Sequence, residues 1–192
     1  MEQKEVLNIF KESGALLEGH FLLTSGRHSD RYMQCAQVLK DPAATAKLCG
    51  VIADAYKDSG VELVVGPAMG GIIVSYEVAR QLGVPNIFAE RENGKMTLRR
   101  NFHIEKGQKV LVVEDVVTTG GSVKEVIDIV KEAGGEVVGA GVLVDRSNGA
   151  VDLGVKLVPV LQMEVVSYEA CDCPMCKNGE GEPYKPGSRG NK

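Results

Sequence analysis

Apolar residues in this chain follow two alternating patterns. Four runs are almost continuously apolar: LVVG at 63–66, NIFA at 86–89, VLVV at 110–113 and VVGAGVLV at 137–144. Short unbroken runs fit strands buried on both faces, because a half-exposed strand would alternate with polar residues. Between them the apolar positions fall at helical spacing, most clearly at Val123, Val126, Ile127 and Val130. Strand, helix, strand repeated predicts an α/β fold with a central parallel sheet flanked by helices.

Other segments are punctuated by end signals. Val6, Leu7 and Phe10 fit a short amphipathic helix that Gly14 ends, and residues 16–39 are irregular and short-stranded around TSGRHSD. Asp41 as N-cap and Pro42 at the first position start a helix, with Ala44, Leu48, Val51 and Ala55 predicted as its buried face up to Gly60. The last apolar run, VKLVPVLQM at 155–163, contains Pro159, which favours an edge strand or separate hairpin over a central strand. Beyond Tyr168 the composition predicts a surface tail.

Composition narrows the function. A chain of 192 residues, 44% hydrophobic and 25% charged, suits one domain with small appendages. The first ten residues lack a basic stretch leading into an apolar one, and no apolar run is long enough to span a bilayer, so a soluble cytoplasmic protein with no membrane partner is expected. A net charge of -4 argues against nucleic acid as a partner. Three of the five cysteines crowd into CDCPMC, as Cys171, Cys173 and Cys176. That cluster resembles half of a zinc site, one ligand short of four, so it is read as a thiol cluster in a reducing compartment and no metal ligand is assigned. His20 and His28 have no obvious nucleophile beside them and are read as structural.

The candidate chemistry centres on KVLVVEDVVTTGGSV at 109–123. If VLVV is a central parallel strand and a helix follows, the segment between them lies at the strand's carboxyl end, where open α/β sheets bind ligands. Gly120 and Gly121 permit a tight turn with inward N–H groups, Thr118, Thr119 and Ser122 offer hydroxyls, and the helix N-terminus favours an anion. No Lys follows the glycines, so this is not a Walker loop, and the spacing does not fit a dinucleotide fingerprint. Glu114 and Asp115 would repel a phosphate; they suit a hydroxyl-bearing group, most simply a ribose, with Mg2+ nearby. Phosphate on one side and a diol on the other describes a 5-phosphoribosyl group.

The stretch closely resembles the signature by which type I phosphoribosyltransferases bind phosphoribosyl pyrophosphate (PRPP). The resemblance gives Glu114 and Asp115 the ribose hydroxyls and Thr118, Thr119, Gly120, Gly121 and Ser122 the phosphate. VVGPAMGGI at 64–72 resembles the family's pyrophosphate loop through Gly70 and Gly71, although ordinary turn chemistry accounts for its glycines equally well. Residues 90–109 carry Arg91, Lys95, Arg99, Arg100 and His103 without strong periodicity and are predicted to form a mobile loop; the alternative is a solvated basic connection. In the family a lysine of this loop reaches the pyrophosphate, often in the neighbouring subunit, and Lys95 matches it best, with Arg91 beside it.

GHFLLTSGRHSDRYMQC resembles the base-covering hood of orotate phosphoribosyltransferases, matching at Ser25, Gly26, Ser29 and Tyr32. Arg146, in LVDRSNG, stands where that family sets an arginine against the acidic base; a surface arginine in a turn is the alternative. The resemblance covers about residues 14–169. It implies one phosphoribosyltransferase domain over 1–170, with a hood at about 14–40 and a core at about 41–150, followed by a cysteine-containing tail at 171–192. It further implies a homodimer that uses PRPP, orotate and Mg2+. Two cationic positions of the enterobacterial form are replaced, by Thr24 and by Met69 with Gly70, and Arg27, Arg91 and Lys95 are the candidates to compensate. A purine or xanthine phosphoribosyltransferase and a non-catalytic PRPP-binding regulator remain as rival readings.

Overall fold

A computed structural model describes residues 1–23 and 25–186; Thr24 and the end of the tail lie outside the described residues. Helix α1 (Gln3–Glu12) buries Val6 and Phe10, and strands β1 (Leu16–Leu22) and β2 (His28–Met33) form an antiparallel hairpin. After α2 (Ala36–Leu39), Asp41 caps α3 (Pro42–Tyr56), its carboxylate accepting from the N–H groups of Ala43 at 2.9 Å and Ala44 at 3.3 Å. There follow β3 (Leu63–Pro67), α4 (Gly70–Leu82), β4 (Asn86–Glu92), β5 (Lys95–Leu98), β6 (Lys109–Val117), α5 (Gly121–Glu132), β7 (Glu136–Asp145) and β8 (Leu157–Gln162). A 3₁₀ turn (Ala170–Asp172) and α6 (Pro174–Lys177) complete the described elements.

Six strands form one sheet in the order β5-β4-β3-β6-β7-β8, parallel except for β5. The unbroken apolar runs have a simple cause. Leu111 and Val113 face one core with α3 and α4, while Val110 and Val112 face another with α5, so both faces of β6 are covered. Pro159 sits on the edge strand β8 opposite Val142, as its missing N–H requires. The chain reverses its winding direction between β3 and β6, which opens a crevice at their carboxyl ends.

Three expectations are corrected. The buried face of α3 is Thr45, Leu48, Cys49, Ile52, Ala53 and Tyr56; of the predicted face only Leu48 is fully buried, and Ala55 is exposed. Tyr56 is tolerated inside because its hydroxyl donates toward the carbonyls of Ala140 and Lys156, at 3.0 and 2.9 Å. The predicted mobile loop begins instead as a hairpin: β5 pairs antiparallel with β4 across Asn93-Gly94, both at positive φ, the usual chemistry of a two-residue turn. The tail does not simply run over the surface: Cys173 is fully buried, and Tyr184 pairs with β1 through bonds from Leu22 N to Tyr184 O and from Tyr184 N to His20 O, both 2.9 Å.

Candidate active site

Two loops meet at the crevice. One follows β6 and the other follows β3, passing a cis peptide between Ala68 and Met69. They approach so closely that a Cβ on Gly70 would lie 2.3 Å from Asp115 Oδ2, and one on Gly71 would lie 3.2 Å from Glu114 Oε1. A side chain at Gly70 would have to displace the Asp115 carboxylate, and one at Gly71 would also meet Pro67 Cδ at 2.9 Å. Gly120 adopts φ +78, and a Cβ on it would meet Val151 and Leu153 at 2.9 and 3.0 Å, so glycine is required there.

The predicted phosphate residues converge on one cavity of 350 Å³. Thr118, Thr119, Gly120, Gly121 and Ser122 line it at the N-terminus of α5, and Glu114 and Arg91 complete its wall. Thr118 and Thr119 are exposed, so their hydroxyls are available to a ligand. The twelve-residue α5 directs its N-terminal backbone amides toward this end.

Electrostatics set the two acids apart. Glu114 is buried, and burial followed by the neighbouring Asp115 charge pushes its carboxyl up to about 9, so it is protonated at neutral pH. Asp115 is only half-buried, and its Oδ1 accepts from the Val116 N–H at 2.9 Å. Among the described residues no cationic side chain is among the groups that shift Glu114. Cys35 lies below, its thiol 3.9 Å from the Asp115 carbonyl and pushed up by burial and by Asp115.

Arg146 follows β7, and its N–H donates to the Val117 carbonyl at 2.8 Å, which ties its backbone to the cradle strand. The guanidinium is half-buried, and the Tyr32 phenol and the Cys35 thiol are close enough to act on it electrostatically. Its Nε is buried without a partner among the described residues, a costly state that an acceptor would relieve. Burial pulls it below the ordinary arginine value.

One residue that positions Arg146 escaped the sequence reading. Asp145, 1% exposed, accepts from Ser147 N at 2.8 Å, Ser147 Oγ at 2.6 Å and Gly149 N at 2.9 Å, fixing the turn beside Arg146. The Asp-Arg-Ser-Asn-Gly string was a usable signal, because Asp side chains nucleate such turns.

Other predicted residues stand apart from the cradle. Lys95 lines a separate 530 Å³ depression with Asp128 and Glu132. Between the two cavities Arg91 pairs with Glu125 at 2.8 Å. Ser25 and Gly26 form the exposed turn between β1 and β2, next to Thr24, which is outside the described residues. Arg27 is not free to compensate for a missing cation: Nε donates to Ser167 Oγ at 2.9 Å, Nη2 to Ser167 O at 2.7 Å, and Nη1 pairs with Glu169. Arg99 and Arg100 pair with Glu90, and Arg99 also with Glu92.

Comparison with known proteins agrees with this geometry. Residues 34–165 match the phosphoribosyl transferase domain family. The chain is 62% identical to the orotate phosphoribosyltransferase of Pelotomaculum thermopropionicum, over 98% of this chain and 99% of the relative. It is 59% identical to that of Desulforamulus reducens, over 98% of each. Among solved structures, the orotate phosphoribosyltransferase from Aeropyrum pernix superposes with a TM-score of 0.71 at 29% identity, covering 82% of this chain and 93% of that one. The chain belongs to the phosphoribosyltransferase family, in its orotate phosphoribosyltransferase branch.

Proposed function

We infer that this chain transfers the 5-phosphoribosyl group from PRPP to orotate, giving orotidine 5′-monophosphate and pyrophosphate, a step of pyrimidine biosynthesis. The supporting observation is the junction of an anion cradle, an adjacent acidic pair and a half-buried arginine at the ends of adjacent strands. A base with its own carboxylate suits a guanidinium whose Nε lacks an acceptor, whereas an uncharged base would leave that cost in place.

In this reading orotate N1 attacks C1′ as pyrophosphate leaves, and no covalent nucleophile is needed. The cradle holds the 5′-phosphate, and Asp115 and Glu114 hold the ribose hydroxyls. A ribose hydroxyl donates most strongly to an ionised carboxylate, so binding draws Glu114 toward its ionised form. Arg146 orients the base with Tyr32 beside it, and the Ser25-Gly26 turn belongs to the base-covering hairpin. Gly70 and Gly71 let the pyrophosphate loop lie against the acids. Two adjacent acids also suit Mg2+, with Glu114 and Asp115 as the residues that would hold it and its complex with PRPP. When bound it supplies charge neutralisation of the departing pyrophosphate.

Lys95 is assigned to the site of a second copy of the chain, since its own depression is separated from the cradle. A homodimer is supported by an exposed apolar surface on and beside α4, where Met69, Ile73 and Tyr76 are 82%, 44% and 61% exposed.

The test is a transfer assay with PRPP, magnesium and orotate, with hypoxanthine, xanthine and uracil in parallel. PRPP-dependent orotate loss with pyrophosphate release is expected. Turnover of another base alone would overturn the orotate assignment, and PRPP binding without any turnover would make the chain a sensor.

A further inference from the structure

The tail cysteines and the hood histidines, each unassigned by the sequence, come together in space. His28 lies directly opposite Leu22 in the hairpin, so His20, two residues earlier on β1, is its diagonal neighbour. The two rings stand 4.9 Å apart. The tail, entering α6, brings Cys173 and Cys176 against them. His20 Nε2, His28 Nδ1 and the two Sγ atoms all lie within 4.8 Å of one another.

We propose that His20, His28, Cys173 and Cys176 form a tetrahedral zinc site that clips the tail to the hairpin. The edge lengths carry the argument. Zinc bonds of usual length at tetrahedral angles require about 3.3 Å between two nitrogens and about 3.5 Å between nitrogen and sulfur. Here His20 Nε2 and His28 Nδ1 are 3.0 Å apart. Three of the four nitrogen to sulfur distances are 3.5 Å for Cys173 with His20, 3.6 Å for Cys176 with His20 and 3.3 Å for Cys176 with His28, and the fourth is within 4.8 Å.

The surroundings agree. His20 Nδ1 lies 2.9 Å from the Gly181 carbonyl, where it can only donate, which leaves Nε2 as a lone pair facing the cluster. Cys173-x-x-Cys176 has the spacing of a zinc knuckle, and Cys171, exposed and beside Asp172, stands outside the cluster. Binding converts two thiols to thiolates with release of two protons, so the divalent ion and its ligands form a neutral unit. An isolated two-stranded hairpin is marginal in water, and the ion would join this one to a segment about 150 residues away, beside the Tyr184 pairing.

The experiment uses the full chain, purified under reducing conditions without chelator, with metal measured by mass spectrometry of the digested protein. About one zinc per chain is expected, lost in Cys176→Ser and kept in Cys171→Ser. Cys176 is exposed, so its truncation removes little packing. Should that variant misfold, Co2+ added to metal-depleted wild type gives an independent readout, the visible bands of a tetrahedral sulfur and nitrogen site. Metal-free wild type with no such bands, zinc retained in Cys176→Ser, or a Cys173–Cys176 disulfide in place of metal would each overturn the proposal. None of these readouts depends on turnover, so they are independent of the transferase assignment.

Discussion

The sheet and the hairpin are stabilised in different ways. Around β6 stability comes from apolar burial on two faces, with Val110, Leu111, Val112 and Val113 all fully buried. The hairpin buries fewer apolar side chains, with Leu16 and Met33 joining the core of α3 and α4 and Phe21 buried apart from it. It is tied by the Arg27 fork to Ser167 and Glu169, by Ser29 Oγ donating to Val166 O at 2.8 Å, by the Tyr184 pairing and by the histidine and cysteine cluster. In the proposed function the sugar phosphate, the constant part of the reaction, is held at the end of the fully buried strand β6. The base is read at the seam with a region joined to the core through Leu16 and Met33 and otherwise by polar links.

The sharpest way to break that division is at Asp115. Asp115→Ala should lower kcat/KM for PRPP by roughly 10²–10³-fold, as loss of an oriented polar group in an enclosed site does, with little change in thermal stability because the residue is half-exposed. Near wild-type kinetics would remove the acids from the reaction.

A smaller effect separates Glu114 from the rest of the core. Its carboxyl is raised from 4.5 to about 9 in the fold, so the native state holds a proton that the unfolded chain releases. Its contribution to stability is therefore complete below about 4.5 and lost as pH rises through about 9. Thermal melts of the ligand-free protein across that window should decline less steeply in Glu114→Gln than in wild type. Parallel curves would mean that the carboxyl titrates normally.

The smallest expected effect lies at the hairpin. Arg27 and Glu169 are 37% and 63% exposed, so Arg27→Ala should cost only about 1 kcal/mol after solvent screening. The orotate KM should rise roughly two- to fivefold while PRPP affinity holds. Equal losses for both substrates would show that hairpin and core respond as one unit.

How much of this was legible in the sequence followed the same division. The strands β3, β4, β6 and β7 and the helix α5 could be read directly because burial on both faces, or on one helical stripe, writes itself as periodicity. The cradle was legible for a related reason: its glycines, hydroxyls and acids are contiguous. Strand β5 was missed because four residues with charged neighbours carry little apolar signal, although Asn93-Gly94 marked the turn. The face of α3 was misjudged because Thr45 and Tyr56 are buried through hydrogen bonds that composition does not reveal. His20 and Cys176 meet across 156 positions, and no local pattern records such a contact.

The central claim is that Arg146 reads an anionic base while the cradle holds PRPP regardless of the base. The most direct test compares kcat/KM for orotate and for uracil, which lacks the carboxylate, in wild type and Arg146→Gln. The account predicts that the variant loses roughly 30- to 150-fold on orotate, the worth of a charge-assisted hydrogen bond of about 2–3 kcal/mol, with PRPP affinity unchanged and discrimination against uracil reduced by the same factor. Discrimination that survives the substitution would contradict it and move recognition of the base to another residue.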